Sequence, residues 1–240
     1  LIEDTCESLG SKFKDKYLGT YGEFSSFSFY SSHQISSGEG GMICCKNNTD
    51  KDIIKSLRSH GWSRGTSFEN KFKTSNSLDK RFIFFNSGYN LRPTDISASI
   101  GLNQLKRLKY FIKNRTLNRK SIINLFKKNK ILSKNMNFYH ENNNVSASWF
   151  GLPIRINEKL KNKKNKIIKI LESQGVETRP IISGNFTRQP AAKKYKLGIN
   201  QNFSNTDTVY NSSFFIGLPT QIISSIKLKK LEKVFEIAFS

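Results

Sequence analysis

The stretch FSSFSFYSSHQISSGEGGMICCK, from Phe24 to Lys46, decides how the first half of this 240-residue chain folds. Apolar runs with the length and composition of strands lie on either side of a glycine cluster. We therefore predict one strand from Phe24 to Ser32, a glycine turn, and a second strand from Gly41 to Lys46. The connection between them carries His33, and the chain has only three histidines.

Helical patterns alternate with such strands along the chain, which favours an α/β fold. The segment NTDKDIIKSLRSHG predicts a helix with Thr49 or Asp50 as its N-cap and Gly61 at its end. The segment RPTDISASIGLNQLKRLKYFIKNR has Pro93 near its start and apolar residues at helical spacing. It predicts a long helix that continues to about Asn129.

The pattern changes near Ile131, where short elements follow one another. Two strands, in FGLPIRI and VETRPII, and two helices, in KNKIIKILESQG and IKLKKLEKVFEIAF, are predicted there. We expect one domain over residues 1–130 and a smaller α/β domain over residues 131–240. The apolar start of LIED resembles the end of a buried strand, so we expect further chain before Leu1.

Charge and cysteine content narrow the function classes. The net charge of +22 suggests an anionic partner, but the basic runs resemble solvated helix faces and lack the interleaved aromatic residues of nucleic-acid binding surfaces. Cys6, Cys44 and Cys45 have neither disulfide nor metal-ligand spacing, which favours a reducing cytoplasm and no metal site. No segment has the length and apolarity of a membrane span.

Four segments occur in the order and spacing of one enzyme family: IEDTCESLGS, GTYGEFSSFSFYSSHQISSGEGGMI, LRSHGW and GYNLRPTDISASIGLNQL. Over essentially its whole length the sequence resembles the DegT/DnrJ sugar aminotransferases, which are pyridoxal phosphate (PLP) enzymes of fold type I. The resemblance implies that residues 1–130 are the remainder of the large mixed-sheet, PLP-binding domain. It also implies that the family's N-terminal part, with a further phosphate loop, is absent here.

The resemblance assigns cofactor contacts residue by residue. Asp4 is similar to the aspartate that pairs with the pyridinium nitrogen, and Ser28 to the serine that binds the cofactor phosphate. Asn90 is similar to an asparagine that reaches the phosphate in the neighbouring subunit, which implies a homodimer with shared sites. The resemblance also implies a place beside the cofactor for Glu7, at a position where the aminotransferases have Gln or His.

His33 is the main departure from the aminotransferases, which have at this position the lysine that tethers PLP. An imidazole cannot form that bond, but it can act as a general base near neutral pH. The exchange resembles one branch of the family, the sugar-nucleotide 3-dehydratases, which hold pyridoxamine phosphate (PMP) without a tether. The resemblance implies loss of the C3 hydroxyl from a 4-keto-6-deoxy sugar, with L-glutamate recharging the cofactor. That branch often has two successive histidines, whereas Gln34 follows His33 here.

The segment RPIISGNFTRQP, from Arg179 to Pro190, resembles the GDP-4-keto-6-deoxymannose 3-dehydratases. It makes Asn185, Thr187 and Arg188 candidate substrate contacts, because a guanidinium suits a phosphate or a carboxylate. The resemblance to these enzymes implies that the substrate is a nucleotide sugar used for surface polysaccharides such as the lipopolysaccharide O-antigen.

Three alternatives stay open on the sequence alone. The CDP-sugar 3-dehydratases use an iron–sulfur cluster, but the loop from Trp62 to Ser87 contains no cysteine to bind one. An ordinary sugar aminotransferase would need a lysine at position 33. A non-catalytic basic binding fragment is the alternative from another class, because a chain that lacks the N-terminal phosphate loop can be inactive by itself.

Overall fold

The computed structural model describes residues 1–71, 78–195 and 202–240. The chain divides into two compact units, residues 1–108 with 144–148 and residues 109–143 with 149–240. These units differ from the predicted domains, and the division at residue 131 stays a prediction. In chain order the elements are β1 (Ile2–Asp4), β2 (Lys12–Phe13), β3 (Lys16–Tyr17), β4 (Phe24–Ser28), β5 (Gly41–Cys45), α1 (Asn48–Leu57), α2 (Asp95–Lys128), α3 (Lys130–Asn135), β6 (Met136–Phe138), β7 (Val145–Ser146), β8 (Gly151–Ile156), α4 (Lys164–Ser173), β9 (Thr178–Pro180), α5 (Pro190–Lys194), α6 (Ser204–Ser212), β10 (Ser213–Gly217) and α7 (Ser225–Phe239).

The first unit contains a three-stranded sheet in the order β1-β4-β5. β4 pairs in parallel with β1 and antiparallel with β5. The two strands predicted around the glycine cluster are present, although β4 ends at Ser28 rather than Ser32. Leu1 and Ile2 were predicted to end a buried strand, and here that prediction is wrong, because β1 forms but both side chains are exposed.

The predicted caps of α1 are wrong by a few residues. Asn47 is the N-cap, because its extended backbone lets its side-chain oxygen accept from the N–H of Asp50 at 2.8 Å. The helix ends at Leu57, four residues before Gly61. Gly61 has a φ of +90° and donates its N–H to the Ser56 carbonyl, so it closes the turn after the helix instead of capping it.

The long helix predicted after Pro93 is confirmed as α2, with 34 residues. In the second unit its buried face carries Asn118, whose amide donates to the carbonyls of Pro219 and Gln221. The same side chain accepts from the N–H of Ile223 at 3.0 Å. Within the described parts of the chain, no helix is both long and apolar enough to cross a membrane.

The second unit is built on a four-stranded antiparallel sheet in the order β6-β8-β10-β9. Helices α2, α3, α4 and α7 supply the rest of its apolar core, and Phe126, Phe214 and Phe235 are its largest fully buried side chains. Phe126 and Phe235 have ring centroids 4.7 Å apart. The predicted strands and helices in FGLPIRI, KNKIIKILESQG, VETRPII and IKLKKLEKVFEIAF are confirmed as β8, α4, β9 and α7. The central strand β10 was missed.

Glu3 fixes the loop that leads into β4. Its carboxylate accepts the backbone N–H groups of Gly19, Tyr21 and Gly22 at 2.6 to 2.7 Å. Burial raises the pKa of this carboxyl, but the three hydrogen bonds, led by that from Gly22, outweigh burial and lower the pKa below its ordinary value of 4.5. Its ionised form therefore stabilises the fold.

We expect Glu3→Gln to lower the thermal unfolding midpoint at pH 7, because an amide offers these donors one neutral oxygen. Since the pKa in the folded state is depressed, the stabilisation is present above the ordinary value and disappears as the pH falls through the folded-state pKa. The difference between the two proteins should shrink below about pH 4. Thermal unfolding scans between pH 3 and 8 measure this difference in midpoint. A difference that does not change with pH would contradict the prediction. Glu39→Gln is the control, because the Glu39 side chain is exposed.

Candidate active site

The first unit brings Asp4 and Ser28, and the loops that carry Glu7 and His33, to one edge of its sheet. β1 and β4 are parallel, so their carboxyl ends meet at the same edge, and Asp4 is level with Ser26 in the register. Asp4 is the last residue of β1 and Ser28 the last residue of β4. The loops that follow the two strands carry Glu7 and His33.

The Asp4 carboxylate is held in its ionised form. Its Oδ1 accepts the backbone N–H of Cys6 at 3.2 Å and the hydroxyl of Ser26 at 3.1 Å. Hydrogen bonds from Cys6, first from its thiol and then from its N–H, lower the pKa of Asp4 together with the Ser26 bond, against a small opposing effect of burial. The side chain is exposed, so a ligand can reach it.

Neither Cys6 nor Ser26 was singled out from the sequence. The Cys6 sulfur lies 3.5 Å from the Ser26 hydroxyl, and burial and the neighbouring Asp4 raise the pKa of the thiol despite the Ser26 hydrogen bond. The alternation of side chains along β4 could have indicated Ser26. Successive side chains of a strand point to opposite faces, and Ser25 is buried, so Ser26 faces away from the core. This supporting pair keeps the carboxylate of Asp4 oriented.

Ser28 begins a folded connection between β4 and β5. Its hydroxyl accepts the N–H of Tyr30 at 3.2 Å. Phe29 bonds through its backbone to both Gly40 and Ser37 at 2.9 Å, which folds the connection back on itself. Gly38 has a φ of +82°, a conformation that favours glycine. The glycine cluster therefore shapes the loop that holds His33.

His33 is largely buried, and the carboxylate of Glu7 lies beside it. The distance from its Nε2 to Glu7 Oε1 is 3.8 Å, and the two side chains are 13% and 45% exposed. The ring also contacts Tyr30 edge-on, with centroids 5.9 Å apart. The Glu7 carboxylate thus places a negative charge beside the Nε2 edge of the ring.

Asn90 lies in the same unit, on the segment after α1. It forms an isolated antiparallel bridge with Ser59, supported by backbone bonds from His60 to Tyr89 at 2.8 Å and from Leu91 to Arg58 at 2.9 Å. Its side chain is exposed.

The three predicted substrate residues lie in the second unit and form one hydrogen-bonded group. Asn185 is 4% exposed, and its Oδ1 accepts both the N–H and the hydroxyl of Thr187, at 3.1 and 2.7 Å. Its amide donates to Asp207 at 2.7 Å, and Arg188 pairs with the same carboxylate at 2.9 Å. Hydrogen bonding from Asn185 and then from Arg188 lowers the pKa of Asp207, against the effect of burial.

Asp207 was not identified as a site residue from the sequence, because it lies 19 residues beyond Arg188 in a segment without a local motif. Tyr210 was missed for the same reason, and its ring lies 5.5 Å from the Arg188 guanidinium carbon. Gly184 approaches Tyr210 so closely that a β-carbon would lie 2.0 Å from the ring. Together these contacts fix the direction of the Arg188 side chain, which remains half exposed.

The residues of the first unit fit a pyridoxal-type cofactor. An ionised carboxylate suits a protonated pyridine nitrogen, and a hydroxyl at a strand end suits a phosphate. Ser148 lies next to this group of residues, since its backbone carbonyl accepts the Gln34 side-chain amide at 3.2 Å. Its buried hydroxyl has no hydrogen-bond partner among the described residues. Among the residues that the structure describes, no cluster of three or more His, Cys, Asp or Glu could hold a metal ion.

The comparisons with known proteins point to the same family. The GDP-4-keto-6-deoxy-D-mannose 3-dehydratase of Escherichia coli is 33% identical over 221 residues, which cover 90% of this chain and 55% of that protein. The lipopolysaccharide biosynthesis protein RfbH of Salmonella typhimurium is 30% identical, over 100% of this chain and 57% of that protein. The chain thus spans little more than half the length of these relatives.

Solved structures agree with the sequence relatives. The E. coli GDP-4-keto-6-deoxy-D-mannose-3-dehydratase with bound hydrated PLP superposes with a TM-score of 0.86 at 31% identity, over 98% of this chain and 60% of that one. A mutant of GDP-4-keto-6-deoxymannose-3-dehydratase (ColD) with bound GDP-perosamine gives 0.84 at 30% identity, again over 98% and 60%. The fold is therefore the mixed α/β fold of the PLP fold type I enzymes. The model of the DegT/DnrJ/EryC1/StrS aminotransferase family matches residues 1–237, and the chain belongs to that family.

Proposed function

We propose that this protein is a PMP-dependent nucleotide-sugar 3-dehydratase, which removes the C3 hydroxyl of a GDP-linked 4-keto-6-deoxyhexose and uses L-glutamate to recharge its cofactor. Relatives with the 3-dehydratase name support the reaction class. A solved dehydratase with a trapped PLP-glutamate geminal diamine, 29% identical to this chain, supports glutamate as the co-substrate. The RfbH relative supports a role in the lipopolysaccharide O-antigen.

The observation that carries the proposal is the position of His33. Its imidazole follows the strand that ends in Ser28 and lies beside Glu7. The family resemblance assigns this position to the lysine that tethers PLP in the aminotransferases. Residues 24–45 contain no lysine. A cofactor bound here would be held by non-covalent contacts, which suits a pyridoxamine that stays free of the protein chain.

Each residue then has one task. PMP supplies, when bound, an amine that reacts with the sugar ketone and a ring that accepts electrons. Asp4 holds the ring nitrogen protonated, Ser28 donates to the phosphate, and Glu7 lies near the cofactor. His33 would take up a proton from the cofactor's C4′ carbon and pass it to the departing C3 hydroxyl, which leaves as water.

A homodimer follows from the task proposed for Asn90, which would reach the phosphate at the partner's site. Exposed apolar residues surround it in sequence, which favours a buried surface in the assembled protein. Tyr89 and Leu91, on either side, are each about two-thirds exposed, and the series continues with Ile96, Ile100, Leu102 and Leu105.

The substrate contacts are proposed for the second unit. Arg188 is half exposed and held by Asp207, so its remaining donors can meet a phosphate of the nucleotide or the carboxylate of glutamate. Thr187 offers a hydroxyl next to it. The side chain of Asn185 is hydrogen-bonded to Thr187 and Asp207, so its contribution to substrate binding is to hold these two residues in place.

The proposed location of the protein is the cytoplasm. Its relatives are biosynthetic enzymes, and its three cysteines are free, as is usual in a reducing compartment.

The full-length protein, incubated with PMP, L-glutamate and GDP- or CDP-linked 4-keto-6-deoxy sugars, tests the proposal. We expect a 4-keto-3,6-dideoxy sugar and ammonia, with the GDP-linked substrate preferred. Without sugar, 2-oxoglutarate should convert the pyridoxamine absorption band to the aldehyde band, and L-glutamate should reverse the change. A 4-amino sugar as the product would contradict the proposal.

That outcome would identify the second candidate, a PLP-dependent sugar aminotransferase. GDP-perosamine synthases are also among the relatives, with 29% identity for the one from E. coli. The absence of lysine from residues 24–45 argues against this candidate. Salt-dependent DNA binding without any spectral change would instead identify a basic binding protein.

A further inference from the structure

Glu7 and His33 lie on different loops, yet their side chains meet. The separation of 3.8 Å between Oε1 and Nε2 exceeds a direct hydrogen bond but is short enough for strong attraction between a carboxylate and a protonated ring. His33 is largely shielded from water and Glu7 is half exposed. The Glu7 carboxylate thus lies between the shielded His33 imidazole and the solvent-exposed surface.

Gln34 fixes both partners of this pair. Its side chain is 1% exposed, and its amide donates to the backbone carbonyl of Glu7 and to that of Ser148. The adjacent backbone is fixed too, because the His33 N–H donates to the Tyr30 carbonyl at 3.1 Å. The residue next to His33 therefore holds the loop that carries Glu7, and the distance between the two side chains is set by three segments of one unit.

We infer that Glu7 is a positioning residue that acts through His33: it stabilises the positive imidazole formed when His33 accepts a proton, and Gln34 keeps it in range. This inference rests on the proposed role of His33 as the base. It assigns Glu7 to the histidine, where the family resemblance gave only a place beside the cofactor. A neutral side chain at position 7 would remove the negative charge that Glu7 places beside His33.

The variants Glu7→Gln and Glu7→Asp test this inference in the full-length protein. Glu7→Gln should lower kcat roughly tenfold and leave KM and PMP affinity unchanged, because a charge at this distance acts on proton transfer rather than on binding. Glu7→Asp keeps the charge and should restore part of the loss. Glu39→Gln is the matched control, since Glu39 is an exposed carboxylate on the same connection as His33.

A second measurement needs neither substrate nor cofactor. With only three histidines in this chain, ¹⁵N-labelled histidine gives few ring signals from it, and His33→Asn assigns one of them by its loss. Glu7→Gln should shift the His33 ring signals, because the carboxylate 3.8 Å from Nε2 is removed, while those of His60 and His140 stay unchanged.

Unmoved His33 signals, or a kcat equal to that of Glu39→Gln, would overturn the inference. If Glu7→Gln does not fold, Glu7→Asp carries both measurements, and a kcat and ring signals identical to wild type would then overturn the inference. Failure of the proposed function is recognised separately. In that case the wild-type protein yields no dideoxy sugar, while the ring signals of His33 still report on Glu7.

Discussion

His33→Asn in the full-length protein should abolish dehydration, with a loss of at least about a thousandfold in kcat, and should leave PMP affinity unchanged. Asparagine has a size close to that of histidine but cannot accept a proton near neutral pH. Asp4 and Ser28, which are proposed to bind the cofactor, lie on strands that this substitution does not touch. Product analysis and equilibrium dialysis against PMP measure the two effects.

Two further variants define what the loss means. His140→Asn removes an exposed histidine in the other unit and should leave the rate unchanged. His33→Lys places an amine at this position and should produce a protein that, once reduced with borohydride, retains PLP through denaturation. Dehydration by His33→Asn at more than a tenth of the wild-type rate would remove His33 from the mechanism.

The family resemblance assigned the proposed site residues that lie in continuous motifs. Asp4, Ser28 and His33 were assigned in this way, and the structure brings the strand ends and loops that carry them to one sheet edge. The spacing could not show that Glu7 faces His33, because that contact depends on how two loops fold across 26 residues of chain. Gln34 was noted only as the place of a missing second histidine, whereas its buried amide connects three segments.

Elements of the second unit show the same limit. The helices α4 and α7 were predicted because their apolar residues repeat at helical spacing. Strand β10 was missed because five residues, SFFIG, follow a helix directly and are too short for a clear period. Asp207 reaches Arg188 from α6 only after the chain has folded, so no local pattern could pair them.

Gly61→Ala should lower the free energy of unfolding by about 3 kcal/mol or more. Gly61 has a φ of +90°, which strains an alanine, and its β-carbon would lie 1.7 Å from the backbone oxygen of Asn86. A backbone oxygen cannot rotate away as a long side chain does, so one of the two segments must move. Urea denaturation measures the loss.

Gly38→Ala separates the two causes of this effect. Gly38 has a φ of +82° in the same unit, but a β-carbon there meets nothing within 4 Å. It should cost only the conformational strain, about 1 kcal/mol. The excess in Gly61→Ala then measures the steric contact with Asn86. Equal losses in the two variants would contradict this steric cost and show that the Asn86 segment moves aside without measurable loss.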